Sequence, residues 1–426
     1  MTDLHPHTQF QAVALEGVET KLDQLWHEVN ERALAAGGTP VSRNTVLTLA
    51  ALTSSAEQAQ RALNTVDELA SQHPARAIVV LAEPEQQRSE IDVGVAIHTQ
   101  GEGAQAVYGE EILVDACGDA ARHIPGAVLP LMITGLPAIL WWNGEPPWGS
   151  MLVETLVDGS DRLIVDSSDA ADTDRFLISA ADLVRRKHAH CTLTDLNWAR
   201  QTPWREMTAQ FFDPPALRPF LGGVDRVTVE YAAGDEDAPA NAVPAYLYAG
   251  WLAARLNWTL PTTQRRGFGP SRQHTLHDAA GRPVLVEIAA RYAISTGSWH
   301  TIHQRAGTVS EDGHDGSHDG RAPVGAPVSA PVGPVVGPGA LMSVRIHAAL
   351  NRRPGTFIIA RDEDLEHATT LCQVDEGAPP SRTVHLGSLG EMTFLSSQLE
   401  QLGRDTIFED ALHTAARLVG ADGRAR

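Results

Sequence analysis

Arg200 and Arg205 stand close together in DLNWARQTPWREMTAQFFD, Asp195 to Asp213, the densest run of function-bearing side chains in the chain. Thr202 can cap a helix there and Pro203 suits its first position, which puts Trp204, Met207, Thr208 and Phe211 on one face and Arg205 off it. Backbone N–H groups at a helix start, with two guanidinium groups beside them, make a pocket for a carboxylate or a phosphate. The same arginines could instead pair with Asp195, Glu206 or Asp213 and lock a junction between domains. The two readings carry equal weight. Upstream, Asp166, Asp169, Asp172 and Asp174 crowd the end of the apolar run Arg162 to Val165. Ligands of open α/β sheets bind at such strand ends, but acidic residues are also preferred at the start of a following helix, and that simpler reading leads.

Five of the nine tryptophans, Trp141, Trp142, Trp148, Trp198 and Trp204, fall in two short segments. Tryptophan and arginine dominate binding hot spots, because a large rigid side chain buries area at little entropic cost. The expected partner-binding set is therefore Trp141, Trp142, Trp148, Trp198, Arg200, Trp204 and Arg205. The competing reading is that the rings fill the core; neighbours on a strand face opposite ways, so one of Trp141 and Trp142 must point inward.

Catalytic signatures are missing. The sequence contains no G-x-x-x-x-G-K-[ST], no G-x-S-x-G and no H-E-x-x-H. GFGP at Gly267 to Pro270 and GEG at Gly101 to Gly103 lack the third glycine of a dinucleotide fingerprint and read as turns. His314, Asp315, His318 and Asp319 could be drawn as a metal set. They lie in Gly307 to Gly339, whose APVGAPVSAPVGPVVGPG repeat has no bulky groups to bury and is expected to be a disordered insertion. No catalytic residue, cofactor or metal site is expected.

The elements that would position these residues alternate in the first half. Asn44–Leu52, Ile78–Ala82, Glu90–Thr99, Val107–Val114, Ala138–Trp142 and Arg162–Val165 read as strands. A capping box at Ser54-x-x-Glu57 opens a helix striped by Ala59, Leu63, Val66 and Ala70, and Phe176, Ala180, Leu183 and Val184 stripe another. Continuous apolar strands between amphipathic helices predict an open, mostly parallel α/β sheet over residues 1–213. Beyond that the strands group together: Val224–Tyr231, Val284–Ala290, Leu341–Ala349, Thr356–Ala360 and Thr369–Val374. One helix runs past Asn241 and one or two more span Glu391–Val419, which predicts an α+β domain over residues 214–426.

With 33 basic and 53 acidic side chains the net charge is −20, and no basic face is segregated to meet phosphates, so nucleic acid is excluded as a partner. Three scattered cysteines, Cys117, Cys191 and Cys372, make no disulfide framework and no C-x-x-C pair. The first residues lack a signal-peptide pattern, and the apolar stretch Ile124 to Gly144 is broken by Pro125, Pro130 and Pro137, so a cytoplasmic protein without a membrane span is expected.

Three strings carry a resemblance: WWNGEPPW at Trp141 to Trp148, RLIVDSS at Arg162 to Ser168, and DLNWARQTPWREMTAQFFD at Asp195 to Asp213. In these, and in the order of elements over most of the chain, the sequence resembles the OpcA family, the glucose-6-phosphate dehydrogenase assembly proteins. The resemblance implies a non-catalytic partner that promotes assembly or allosteric activation of that dehydrogenase and so supports the oxidative pentose phosphate pathway and NADPH supply. The alternative from the residues alone is an enzyme or sensor for a phosphorylated sugar, using the strand ends and the Arg200 and Arg205 pocket. The sequence does not set the oligomeric state.

Overall fold

A computed structural model describes residues 10–101, 106–187, 190–233, 241–261, 271–291, 339–374, 381–387, 391–401 and 403–423. The tract Gly307 to Gly339, apart from Gly339 itself, and with it His314, Asp315, His318, Asp319 and the GFGP turn, lie outside the described residues.

The chain opens with β1 (Gln11–Val13), α1 (Val18–Ala35), β2 (Leu47–Thr53), α2 (Ala56–Leu69), β3 (Ala75–Glu83), β4 (Glu90–Gln100) and β5 (Val107–Cys117). After a short helix α3 (Ile124–Val128) come β6 (Ala138–Trp142), α4 (Met151–Asp158), β7 (Arg162–Val165), α5 (Thr173–Lys187), β8 (Thr192–Asp195), α6 (Leu196–Arg200) and α7 (Thr202–Phe211). Among the described residues these strands form one sheet in the order β1-β4-β5-β3-β2-β6-β7-β8. From β5 to β8 every pairing is parallel, and β4 and β1 add an antiparallel edge. All seven residues of β2 are buried, as expected of a strand covered on both faces. That cover explains the paired tryptophans: Trp141 and Trp142 point to opposite faces and both are buried, one in each of the two apolar layers. The expectation that only one need be inward treated the sheet as one-sided.

Residue chemistry sets the helix starts. The cap of α2 lies one residue beyond the expected Ser54: the Gln58 N–H donates to Ser55 Oγ at 3.3 Å, and Gln58 Oε1 accepts from the Ser54 N–H at 2.8 Å. The cap is thus Ser55 with Gln58 three residues on, the glutamine reaching back to the N–H of Ser54, just before the cap. In α7, Trp204, Met207, Thr208 and Phe211 form the buried face, as their spacing predicts.

The second half contributes β9 (Val224–Ala232), α8 (Val243–Arg255), β10 (Ser271–His277), β11 (Pro283–Arg291), β12 (Leu341–Leu350), β13 (Arg353–Arg361), β14 (His367–Gln373) and β15 (Ser381–His385). Two helices close the described chain, α9 (Glu391–Glu400) and α10 (Thr406–Gly423). The second sheet runs β10-β11-β9-β12-β13-β14-β15; it is antiparallel except for the β11–β9 pair. The chain is therefore a mostly parallel α/β sheet followed by an α+β arrangement, the expected class.

Helix α8 is buried almost all round, the mark of a helix packed on every side. It packs against α10 closely enough that a Cβ on Gly250 would meet the Ala411 carbonyl oxygen at 2.3 Å, so glycine is required there. The closing helices cross back to the first sheet. Leu395 and Leu399 of α9 join the apolar layer around Trp141, and Arg162 at the start of β7 donates to the Gln398 carbonyl at 2.6 Å.

Strand β5 carries two consecutive buried carboxyl groups on opposite faces. Glu110 accepts from Trp26 Nε1 at 2.7 Å and Arg76 Nε at 2.7 Å, and also pairs with Arg43. Burial pushes its carboxyl up, but Arg43 and Arg76 outweigh that and hold it below the usual range. Glu111 has no such company. Burial pushes its carboxyl well above the usual range, and Asp67 beside it raises it further. Cys117, Cys191 and Cys372 are all free thiols.

Candidate functional site

The strand order reverses between β2 and β6, and ligands of doubly wound sheets bind at the carboxyl ends beside such a reversal. The turn after β2 reads Thr53-Ser54-Ser55, without glycine. The start of α2 is already occupied by its own Ser55 cap and by Gln58. Across the crevice the Gly144 N–H donates to Asp169 Oδ2 at 3.2 Å, and burial followed by the nearby Asp166 charge raises the Asp169 carboxyl. Side chains thus take the donors that a pyrophosphate would use.

The neighbouring strand ends hold a polar cluster. Asp166 directly follows β7 and receives both arms of Arg200, Nη1 to Oδ1 at 2.7 Å and Nη2 to Oδ2 at 2.6 Å. Burial would push the Asp166 carboxyl up; the Arg200 fork and Ser168 overcome that and hold it low. Asp195 ends β8 and is 1% exposed. Its Oδ1 accepts from the Ser167 and Asn197 N–H groups, both at 2.9 Å, which caps α6. Burial first, and the Asp166 charge second, push the Asp195 carboxyl up to about 6. Asn241 binds this edge to the second half by donating from Nδ2 to the Ser167 carbonyl at 2.7 Å and the Ser168 carbonyl at 3.0 Å.

Arg205 lies against Trp198: its guanidinium carbon is 3.5 Å from the ring centroid, and Nη1 donates to the Trp198 carbonyl at 2.8 Å. Trp198 Nε1 in turn donates to Asp405 Oδ2 at 2.9 Å, tying α6 to the segment before α10. Burial lowers the Arg205 guanidinium to about 10, with Asp405 opposing.

The expected site residues are therefore brought to one edge, in two layers. Trp141, Trp142, Trp198 and Trp204 are buried, at 1%, 7%, 5% and 2% exposure, and serve as packing. Trp148, Arg200 and Arg205 keep partial access. The Trp148 ring meets Phe176 edge-on at 5.5 Å. Arg200 forks onto Asp166, a partner that spacing did not suggest, and Arg205 takes the Trp198 carbonyl and ring, with Glu206 among the charges that favour its guanidinium. Sequence reasoning missed the polar side chains between them. Among the described residues, Asn143 Nδ2, Asn197 Nδ2 and both polar atoms of Gln201 are buried with no hydrogen-bond partner, as is Nε1 of the expected Trp148. Such atoms cost free energy unless water or a ligand meets them. Asn197 and Gln201 stand in the string singled out above, where a neutral amide among apolar neighbours was the available signal.

The high Asp195 carboxyl gives the edge a definite pH response. The folded value lies above the unfolded one, near 3.8, so this group favours folding at low pH, and its contribution is lost as pH rises from about 4 to about 6. A shift of this size corresponds to about 3 kcal/mol. Asp195→Asn keeps the Oδ1 acceptor and removes the charge, so it is expected to raise stability above pH 6 by up to that amount and to leave it unchanged near pH 4. Urea unfolding of both proteins across this range measures it; equal profiles would show that Asp195 titrates normally.

Two sheets joined at a polar strand edge, with tryptophan and arginine layered over it, define a mixed α/β protein with an aromatic junction. The chain belongs to the glucose-6-phosphate dehydrogenase subunit family. Residues 66–182 match the family described as glucose-6-phosphate dehydrogenase subunit N-terminal domain, and residues 191–412 match its C-terminal domain. Among curated proteins it is 34% identical over 190 residues to the protein of Synechocystis sp. provisionally named OxPP cycle protein OpcA, covering 44% of this chain and 38% of that one. The Nostoc punctiforme protein of the same name is 33% identical over 195 residues, 45% of this chain and 40% of its own. The aligned stretch thus spans well under half the length of these relatives. Among solved structures, levoglucosan dehydrogenase with NADH and L-sorbose aligns at 10% identity with a TM-score of 0.45, over 90% of this chain and 97% of that chain. No helix among the described residues is long and apolar enough to cross a membrane.

Proposed function

We propose that this protein is a non-catalytic partner of glucose-6-phosphate dehydrogenase that promotes its assembly or activation and so supports the oxidative pentose phosphate pathway. The observation that carries the reading is the match of both halves of the chain to domains described as belonging to a subunit of that dehydrogenase. At the strand ends Arg200 is paired with Asp166, whose Oδ1 also accepts from Ser168 Oγ at 2.6 Å, and Arg205 lies on the Trp198 ring, so both guanidinium groups are held in place. In this reading the partner contact uses the accessible layer, Trp148, Arg200 and Arg205, with Met151, 79% exposed just beyond the Trp148 loop. Trp141, Trp142, Trp198 and Trp204 hold that layer in place. Within the same proposal the protein works in the cytoplasm.

Size-exclusion chromatography with light scattering on a mixture with the cognate dehydrogenase tests this. A joint peak is expected, weakened by Met151→Ala without loss of melting temperature, and by Trp148→Ala beyond what its smaller loss of stability explains. Separate elution at micromolar concentrations contradicts it. A second reading, a sensor of a phosphorylated sugar, is favoured by the unpartnered Asn143, Asn197 and Gln201 atoms. Calorimetric binding of glucose 6-phosphate to the protein alone would support that second reading.

A further inference from the structure

At the opposite, amino edge of the parallel sheet, Glu111 of β5 faces His98 of β4 and Asp67 near the end of α2. One ligand atom from each lies within 4.8 Å of the others. His98 Nδ1 is 3.0 Å from Asp67 Oδ1 and 3.7 Å from Glu111 Oε1. We propose that Asp67, His98 and Glu111 bind a first-row divalent cation, Zn²⁺ or Mn²⁺, through one imidazole nitrogen and two carboxylate oxygens, with the remaining position open to water.

Three observations carry this. The spacing suits a single ion, because ligands about 2.1 Å from a tetrahedral centre lie about 3.4 Å apart, between the two measured separations. The donor set of one nitrogen and two oxygens is one that Zn²⁺ and Mn²⁺ accept. Finally, the Glu111 side chain is only 2% exposed, and among the described residues neither oxygen accepts a hydrogen bond from a backbone, hydroxyl, amide or arginine group; its polar neighbours are the Asp67 carboxyl and the His98 imidazole. Two neighbouring carboxyl groups held away from water are costly, and proteins meet that cost by pairing them or by coordinating a metal. Glu110, the next residue on the same strand, shows the first solution with Arg43, Arg76 and Trp26. On the Glu111 face no arginine or lysine among the described residues forms an ion pair with it, and His98 alone stands against two carboxyl groups, a place for a divalent cation. The site is separate from the carboxyl edge and does not depend on the proposed dehydrogenase partnership.

The test uses tag-free full-length protein stripped with EDTA and titrated with Zn²⁺ and, separately, Mn²⁺, following calorimetric binding and the unfolding midpoint. One equivalent of at least one of these ions should bind and raise the midpoint, as any ligand of the folded state does. Glu111→Gln and His98→Ala should each weaken binding about tenfold or more, whereas His27→Ala, an exposed histidine on α1, should leave it unchanged. Should Glu111→Gln fail to fold, Asp67→Asn at the rim of the cluster gives the same reading. The proposal is overturned if neither ion binds saturably, or if His27→Ala weakens binding as much as His98→Ala does. It is equally overturned if the unmodified protein binds neither metal while Glu111→Gln alone raises the midpoint, because the carboxyl pair then holds a proton instead.

Discussion

Trp141→Ala is expected to lower the unfolding free energy by about 3 to 5 kcal/mol, the scale of a large aromatic removed from a packed core. Trp141 is 1% exposed and sits on β6 between β2 and β7. Its layer contains Leu63 of α2, Ile164 of β7 and Leu395 and Leu399 of α9, so the cavity would open where the last part of the chain meets the first sheet. The surrounding strands are parallel and hydrogen-bonded on both sides, which limits collapse around the void. Chemical denaturation measures the loss. A cost below about 1 kcal/mol would mean that the ring is not packed as described. Trp148→Ala, at a partly accessible ring, should cost clearly less.

Arg200→Ala should cost a comparable amount at neutral pH, about 3 to 5 kcal/mol, because it leaves Asp166 buried without its counter-ion. The pH dependence identifies the cause. With Arg200 present the folded Asp166 carboxyl lies below its unfolded value, so this pair stabilises the protein above the unfolded pKa, and that stability is lost as pH falls through the folded pKa. Without Arg200, burial and the neighbouring Asp195 carboxyl raise it instead, so the sign reverses and the variant's deficit should shrink as pH falls from 7 toward 4. Unfolding at pH 7, 5.5 and 4 reads this directly; a deficit that stays constant or grows on acidification contradicts the pair's role. Arg200→Lys should recover only part of the loss, since a point charge cannot make two parallel contacts to one carboxylate.

Much of the architecture was legible because parallel strands advertise themselves as unbroken apolar runs. The expected ranges of β6 and β7 coincide with the observed ones, and the stripe on α7 faces the core as its spacing requires. What escaped reading lacked that signature. Strand β8, TLTD, is four residues long and half polar, and it is held by parallel pairing to β7 rather than by local pattern. Strand β10, SRQHTLH, pairs with β11 at the edge of its sheet, bridges to Thr259 only through His277, and buries just His274 and Leu276. Helix α1 was not read at all; its apolar positions are thinly spread among charged ones, though Leu22, Leu25, Trp26 and Val29 do pack inward.

The site was legible as a neighbourhood but not as a set of contacts. The strings ending β6, β7 and β8 meet because those strands are adjacent in the sheet, and apolar runs followed by Trp, Asp and Asn at each end point to that. The pairings themselves join distant positions: Arg200 with Asp166, Trp198 with Asp405, Asn241 with the Ser167 carbonyl. Each depends on which way a side chain leaves its strand end or helix, and local spacing does not encode that. The buried Glu110 and Glu111 pair was invisible for the same reason, since two adjacent glutamates in a sequence usually signal solvent.

The most direct test of the central claim is the initial rate of NADPH formation by the cognate glucose-6-phosphate dehydrogenase, at sub-saturating glucose 6-phosphate, as this protein is titrated in. The rate should rise and saturate, with a change of about 5- to 150-fold in substrate affinity if the coupling is of ordinary allosteric size, and this protein alone should form no NADPH. A rate that stays flat through a large molar excess, or NADPH formed from glucose 6-phosphate by this protein without the dehydrogenase, would contradict the account.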